Sequence, residues 1–159
     1  MRPASSPAAG HLFKVRDNVE KLSKHKAEMF HNMVARGSFV TKRSRGDVHA
    51  TMSFLCTRVQ ASDADDWKKL VRLMKCVQQT IKLVPRLGVG GVSIMKWHVD
   101  AAHTVHKDCK GQTGAAMTLG KGTVCNASTK QKSNARSSAE SKLVGSNDAM
   151  PQSLWTNHF

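Results

Sequence analysis

Apolar positions in the first half of the chain recur at helical spacing. Trp67, Leu70, Val71, Met74 and Val77 fall at i, i+3, i+4, i+7 and i+10 and mark one apolar helix face. Lys68, Lys69, Arg72 and Lys75 lie opposite. Ser62 and Asp65 stand at the spacing of a capping box ahead of that helix, with an Asp shorter than the usual Glu. Further upstream, Ser23 can cap a helix over Lys24 to Arg36. Met29, Phe30, Met33 and Val34 give it a broad apolar side, and Gly37 is its expected stop. A second helix is predicted after Asp47, with Val48, Met52, Leu55 and Val59 at helical spacing. The opening MRPASSPAAGH shows no period, and residues 1–22 read as a flexible segment.

Near Gln79 the period changes. Ile81 to Val84 is β-favouring and Pro85 ends it, and the glycine-rich residues 87–91 make a joint between modules. Ser93 to Asp100 reads as a buried strand with Val92, Ile94, His98 and Asp100 on one face. Ala115 to Leu119 and Thr123 to Ala127 flank Gly120-Lys121-Gly122, a three-residue hairpin loop. Ser137-x-x-Glu140 is a capping box opening a helix, and Pro151 reads as the first turn of another short one. The expected fold is α+β: helices over 23–86, the joint 87–91, then an antiparallel three-stranded sheet with a packed helix over 92–159.

Length and composition fit about one ordinary globular domain. No run of some 18 apolar residues is present, and the N-terminus lacks the apolar core of a secretory signal. Cys56, Cys76, Cys109 and Cys125 form no C-x-x-C pair and read as free thiols of an intracellular protein, cytoplasmic or nuclear. The net charge of +14 changes the picture most. It serves solubility, or it attracts phosphate backbone through counterion release. The basic residues are dispersed, densest at Lys42, Arg43 and Arg45, which suits a sequence-independent hold better than base readout. Lys121, Lys130, Lys132 and Arg136 are the candidate contacts of the second half. With no Tyr and few other aromatics, little material exists for base stacking.

Asp100 ends an apolar strand, where a carboxylate can be held rigidly beside a cleft. Read alone, such an Asp is commonly a turn or cap residue. His103, His106, Asp108 and Cys109 are all metal-ligand types, but their spacing matches no closed zinc pattern. Gly114 to Gly122 fails as a phosphate loop, because Leu119 stands where the second Gly belongs.

The segment KWHVDAAHTVHKDCKGQTGAAMTLGKGTVCNASTKQKSNARSSAESKLV, Lys96 to Val144, gives a strand ending in Asp100, a hairpin and a capped helix. It resembles the start of the ribonuclease H domain in Pol polyproteins of copia-type retrotransposons. FHNMVARGSFVTKRSRGDVHATMSFLCTRV (Phe30 to Val59) and DDWKKLVRLMKCVQQT (Asp65 to Thr80) resemble the helical tail of that family's reverse transcriptase. The resemblance implies a fragment of a protein that copies RNA into DNA and degrades the RNA of the hybrid. Its partner would be RNA–DNA hybrid or duplex nucleic acid, with no membrane and no small-molecule substrate. It also implies that Asp100 matches a magnesium ligand of a two-metal site, which needs several carboxylates. The family's next ligand is a Glu on the following helix. Ser137-Ser138-Ala139-Glu140-Ser141-Lys142-Leu143 puts Lys142 there. Glu140 lies about 200° round the helix and suits capping instead. The remaining family carboxylates would fall beyond Phe159, and the polymerase aspartates upstream. Lys142 is expected to pair with Asp100, and magnesium to be held weakly or not at all. His98, Cys76 and Gly46 also replace residues the family often carries, which fits an element drifting without selection. A different reading is a non-enzymatic basic module that binds nucleic acid without sequence preference. A third is an open reading frame with no present role.

Overall fold

The computed structural model describes residues 4–88 and 94–158. The chain separates into two compact units, Met1–Val84 and Pro85–Phe159. The fold is α+β, with four α-helices and one three-stranded antiparallel sheet among the described residues.

The first unit is helical. It contains α1 (Lys24–Arg43), a 3-10 turn at Gly46–Val48, α2 (His49–Arg58), a second 3-10 turn at Val59–Ala61, and α3 (Ala64–Gln79). Its core gathers Phe30 and Val34 of α1, Met52, Phe54 and Leu55 of α2, and Leu70 and Leu73 of α3. Gly37 does not end α1, which runs six residues further. A Cβ there would stand 2.2 Å from Cε of the buried Met52, so this glycine seats α2 against α1 rather than breaking the helix. The cap of α3 falls one residue later than Ser62. The Asp63 carboxylate accepts the N–H of Asp65 and of Asp66 at 2.9 Å each, and Asp66 accepts the Asp63 N–H at 3.2 Å. The covered face of α3 is correspondingly rotated: Leu70, Leu73 and Cys76 are buried, while Met74 is 39% exposed.

Residues 4–22 are packed rather than loose. Leu12 is buried in the core, with Phe13, Val15 and Leu22 against it. Phe13 meets Phe54 edge to face at 5.5 Å. The Leu22 N–H donates to Ser62 O and the Ala64 N–H to Glu20 O, which ties the segment to the start of α3. Ile81 to Val84 forms no strand. The Leu83 N–H closes a turn on Thr80 O, and Ile81, Leu83 and Val84 are exposed. β-propensity without a partner strand leaves the backbone no ladder to join.

The second unit holds β1 (Met95–Ala102), β2 (Gln112–Leu119), β3 (Gly122–Lys130) and α4 (Ser138–Asn157), with strand order β1-β2-β3. Leu119 pairs with Gly122, so the hairpin loop has two residues, not three. Gly120 takes φ 63° at its first position, which suits a type II′ turn. The register shifts between Met117 and Thr118, leaving Val124 as the extra residue of a bulge. Residues 89–93, which include most of the expected joint, the start of the expected strand at Ser93 and Val92 of its expected buried face, lie outside the described residues. Ile94, His98 and Asp100 are exposed. The covered face is the other one. There Gly145 of α4 seats against Ala101 and Thr113, and Trp97 Nε1 donates to Thr156 Oγ1 at 3.3 Å. Pro151 starts no new helix; α4 runs through it. The proline is exposed, and contacts on both sides of it, at Gly145 and Thr156, hold α4 to the sheet across the missing N–H.

Gly111 sits at the entry to β2. A Cβ there would stand 2.8 Å from the Ala102 carbonyl and 2.3 Å from Oε1 of the buried Gln131. Gly111→Ala is expected to destabilise this unit by about 1–3 kcal/mol through overpacking against backbone. Urea denaturation of the variant beside the parent measures it, and an unchanged midpoint would refute this packing.

Candidate functional site

Strand β1 presents Asp100 on the face that α4 does not cover, with its side chain 80% exposed. It stands on an open sheet face at the edge strand rather than beside a cleft. The cap of α4 fixes what faces it. Ser137 Oγ accepts the Glu140 N–H at 3.1 Å, and Glu140 Oε2 accepts the Arg136 N–H at 2.6 Å. Glu140 is therefore committed to the helix start. Two residues on, Lys142 extends to Asp100 past the sheet edge, Nζ to Oδ1 3.5 Å. Both side chains are mostly exposed, so the pair contributes little to stability. What it decides is local charge: the nearest ionic partner of Asp100 is a cation.

Among the described residues no further carboxylate joins it. Asp108 Oδ2 lies 2.8 Å from Lys130 Nζ and 3.9 Å from Lys110 Nζ. The Lys130 hydrogen bond holds the Asp108 carboxyl below the usual carboxylate range. Asp148 Oδ2 accepts from Thr113 Oγ1 at 3.3 Å, on the α4 side of the sheet, opposite Asp100. Magnesium requires near-octahedral oxygen ligation from carboxylates with phosphates or waters. One exposed carboxylate facing an ammonium does not fit that requirement.

The loop cluster is likewise engaged within the fold. His106 Nε2 and Gln112 Oε1 are 2.8 Å apart, and Gln112 Nε2 donates to Ser128 Oγ at 2.8 Å. Burial pushes the His106 imidazole below its ordinary value, against the pull of Gln112. His103 Nδ1 lies 2.9 Å from Ser141 Oγ and joins the loop to α4. Among the described residues no three His, Cys, Asp or Glu side chains are grouped to hold a metal.

The four basic candidates do not form one patch. Lys121 occupies the hairpin turn, while Lys130, Lys132 and Arg136 lie at the other end of β3, roughly 25–30 Å along at the rise of a strand. Lys130 is already paired with Asp108. Of the run Lys42, Arg43 and Arg45, Arg45 is buried. It bonds both Asp47 oxygens at 2.9 and 2.8 Å, and Thr80 Oγ1 at 2.7 Å.

A basic groove lies elsewhere. A cavity of about 590 Å³ in the helical unit is lined by Lys14, Arg16, Lys68, Lys69 and Arg72, with Asp65 as the acid. Arg16 Nε donates to Asp65 at 2.7 Å and holds that carboxyl below its usual range. Lys69 is nearly covered: it donates to Lys14 O at 2.8 Å and lies 4.6 Å above the Phe54 ring. Burial lowers its ammonium from the ordinary lysine range. Arg72 is drawn to Ser6, so only Lys14, Arg16 and Lys68 stand well exposed. Residues 7–16, within the stretch expected to be flexible, form one wall of this groove. The available signal was Leu12, Phe13, Val15 and Leu22, an apolar set within that stretch.

Comparison with family models, curated proteins and solved structures finds no match. Among the described residues no helix is long and apolar enough to cross a membrane.

Proposed function

We propose that this chain is a piece of a copia-type retrotransposon Pol protein, comprising the helical end of the reverse transcriptase and the start of a ribonuclease H-like domain. The observation that carries the reading is the Asp100–Lys142 pair. Two positions 42 residues apart, which the resemblance assigns to one metal site, are brought within 3.5 Å by the β1–α4 arrangement. The β-β-β-α order of the second unit is in keeping with this.

In this chain the site is catalytically incomplete. Two-metal hydrolysis places cations about 3.5–4 Å apart between several carboxylates. Here an ammonium takes the place of one carboxylate. No hydrolysis of an RNA–DNA hybrid above background is expected with magnesium or manganese. Turnover that disappears on Asp100→Asn would overturn that expectation. Lys142→Glu is the complementary test, since it sets a second carboxylate beside Asp100. Manganese binding, followed by the loss of free-ion electron paramagnetic resonance signal, should be stronger in this variant than in the parent. Equal binding by the two chains counts against the shared site. Polymerase motifs in the coding sequence immediately upstream would support the Pol reading, and an unrelated frame there would sink it.

The second reading is a non-enzymatic module that holds nucleic acid without sequence preference. The groove of Lys14, Arg16 and Lys68 favours it, because these cations are clustered and exposed, with Asp65 pairing with both Arg16 and Lys68 and so offsetting one of the three charges, while the hairpin cations are scattered. Either reading gives a duplex or hybrid nucleic acid as the partner.

A further inference from the structure

Among the described residues β1 pairs with β2 alone, so about half of its backbone N–H and C=O groups face outward from an edge strand. Among the described residues no element of the second unit pairs beyond it. The side chains along this edge carry a pattern that fits one particular occupant. Lys96, His98 and Asp100 are exposed on the same face of β1, with Lys96 and Asp100 equidistant from His98.

We propose that β1 pairs antiparallel with β1 of a second copy of this chain, about a two-fold axis through His98. That register sets Lys96 of each copy opposite Asp100 of the other, so one contact contains two opposite-charge cross-strand pairs. On the other face it sets Trp97 opposite Val99, an aromatic beside a β-branched residue. Both kinds of pair stabilise antiparallel sheets. Moving the axis one residue either way sets His98 opposite Lys96 or opposite Asp100 and loses the reciprocal Lys–Asp match. The product is a six-stranded sheet closed by symmetry, with the same patch used on both sides.

Lys142 reaches Asp100 round this edge, so pairing requires its side chain to turn away into solvent and give Asp100 up to Lys96 of the second copy; at 62% exposed it is free to do so. The helices then permit this arrangement. Gly145 rests against both Ala101 of β1 and Thr113 of β2, so α4 lies over the gap between these strands. Strands are about 4.8 Å apart, which would put the two α4 helices roughly 10 Å apart across the axis, a normal packing distance. The inference concerns the sheet edge and does not depend on the Pol reading.

The test is sedimentation of the 159-residue chain over a concentration series, under reducing conditions because Cys56 and Cys109 are exposed. A monomer–dimer equilibrium in the micromolar range is expected. Lys96→Asp and Asp100→Lys, made singly, each set like charges opposite at two places and should weaken the dimer by about tenfold or more. The double variant restores both pairs and should recover it. Because Asp100 also meets Lys142 in its own chain, the series is repeated in a Lys142→Gln background, where the same ordering is expected. Circular dichroism checks that each variant is folded, and recovery in the double variant separates pairing from misfolding. A chain that is monomeric at every concentration would overturn the proposal. So would a dimer indifferent to the swaps, which would place the contact elsewhere.

Discussion

Raising salt from about 50 to about 200 mM is expected to weaken the binding of this chain to duplex or hybrid nucleic acid by about 10³–10⁵-fold, with little difference between sequences. The cause is the surplus of cations, +14 over the whole chain. Each phosphate neutralised releases condensed counterions, and that release loses value as salt rises. Few aromatic residues are available to replace it with stacking. A fluorescence titration on a labelled duplex at several salt concentrations measures the slope. A slope near zero would remove nucleic acid as the partner and leave the charge to solubility. Neutralising Lys14, Arg16 and Lys68 together should flatten the slope more than neutralising Lys121, Lys132 and Arg136. The first three line one groove, whereas the hairpin set is divided between two ends of a strand.

Leu73→Ala is expected to destabilise the helical unit by about 2–5 kcal/mol, through lost transfer energy and the cavity left behind. Leu73 is fully buried between α3 and its neighbours, while Met74 beside it is 39% exposed. Met74→Ala should therefore cost under about 1 kcal/mol, as surface-leaning substitutions do. Domain stabilities are typically about 5–15 kcal/mol, so the first change removes a large share and the second does not. Urea denaturation followed by far-ultraviolet circular dichroism compares them. Equal costs would mean that the covered face of α3 is centred on Trp67, Val71 and Met74 instead.

The alternation and the capping residues made much of the architecture legible before any coordinates. Three helices, a hairpin and a capped final helix follow from spacing and from Ser137-x-x-Glu140, because these signals are local and the structures they specify are local too. The expected Lys142–Asp100 neighbourhood came from the family resemblance, and the structure places the two side chains 3.5 Å apart.

What only the tertiary structure decided is which face, which end and which charge is free. Gly37 reads as a helix stop, yet α1 continues because Met52 from another helix needs the space. Residues 4–22 look loose, yet Leu12 and Phe13 find a core made by distant residues. Ile81 to Val84 has the propensity of a strand and no strand to pair with, so it stays irregular. Pro151 stops no helix, because contacts to the sheet on both sides outweigh one lost hydrogen bond. Asp100 could be assigned to a strand from sequence, but its exposure depends on where α4 lies. Net charge was countable from the sequence. That Arg45 is buried against Asp47 while Lys14, Arg16 and Lys68 share a groove was not, because pairing between residues far apart in the chain is set by packing. Sequence determined the elements through local backbone and side-chain preferences; packing between distant segments decided their ends, their buried faces and the charges left for a partner.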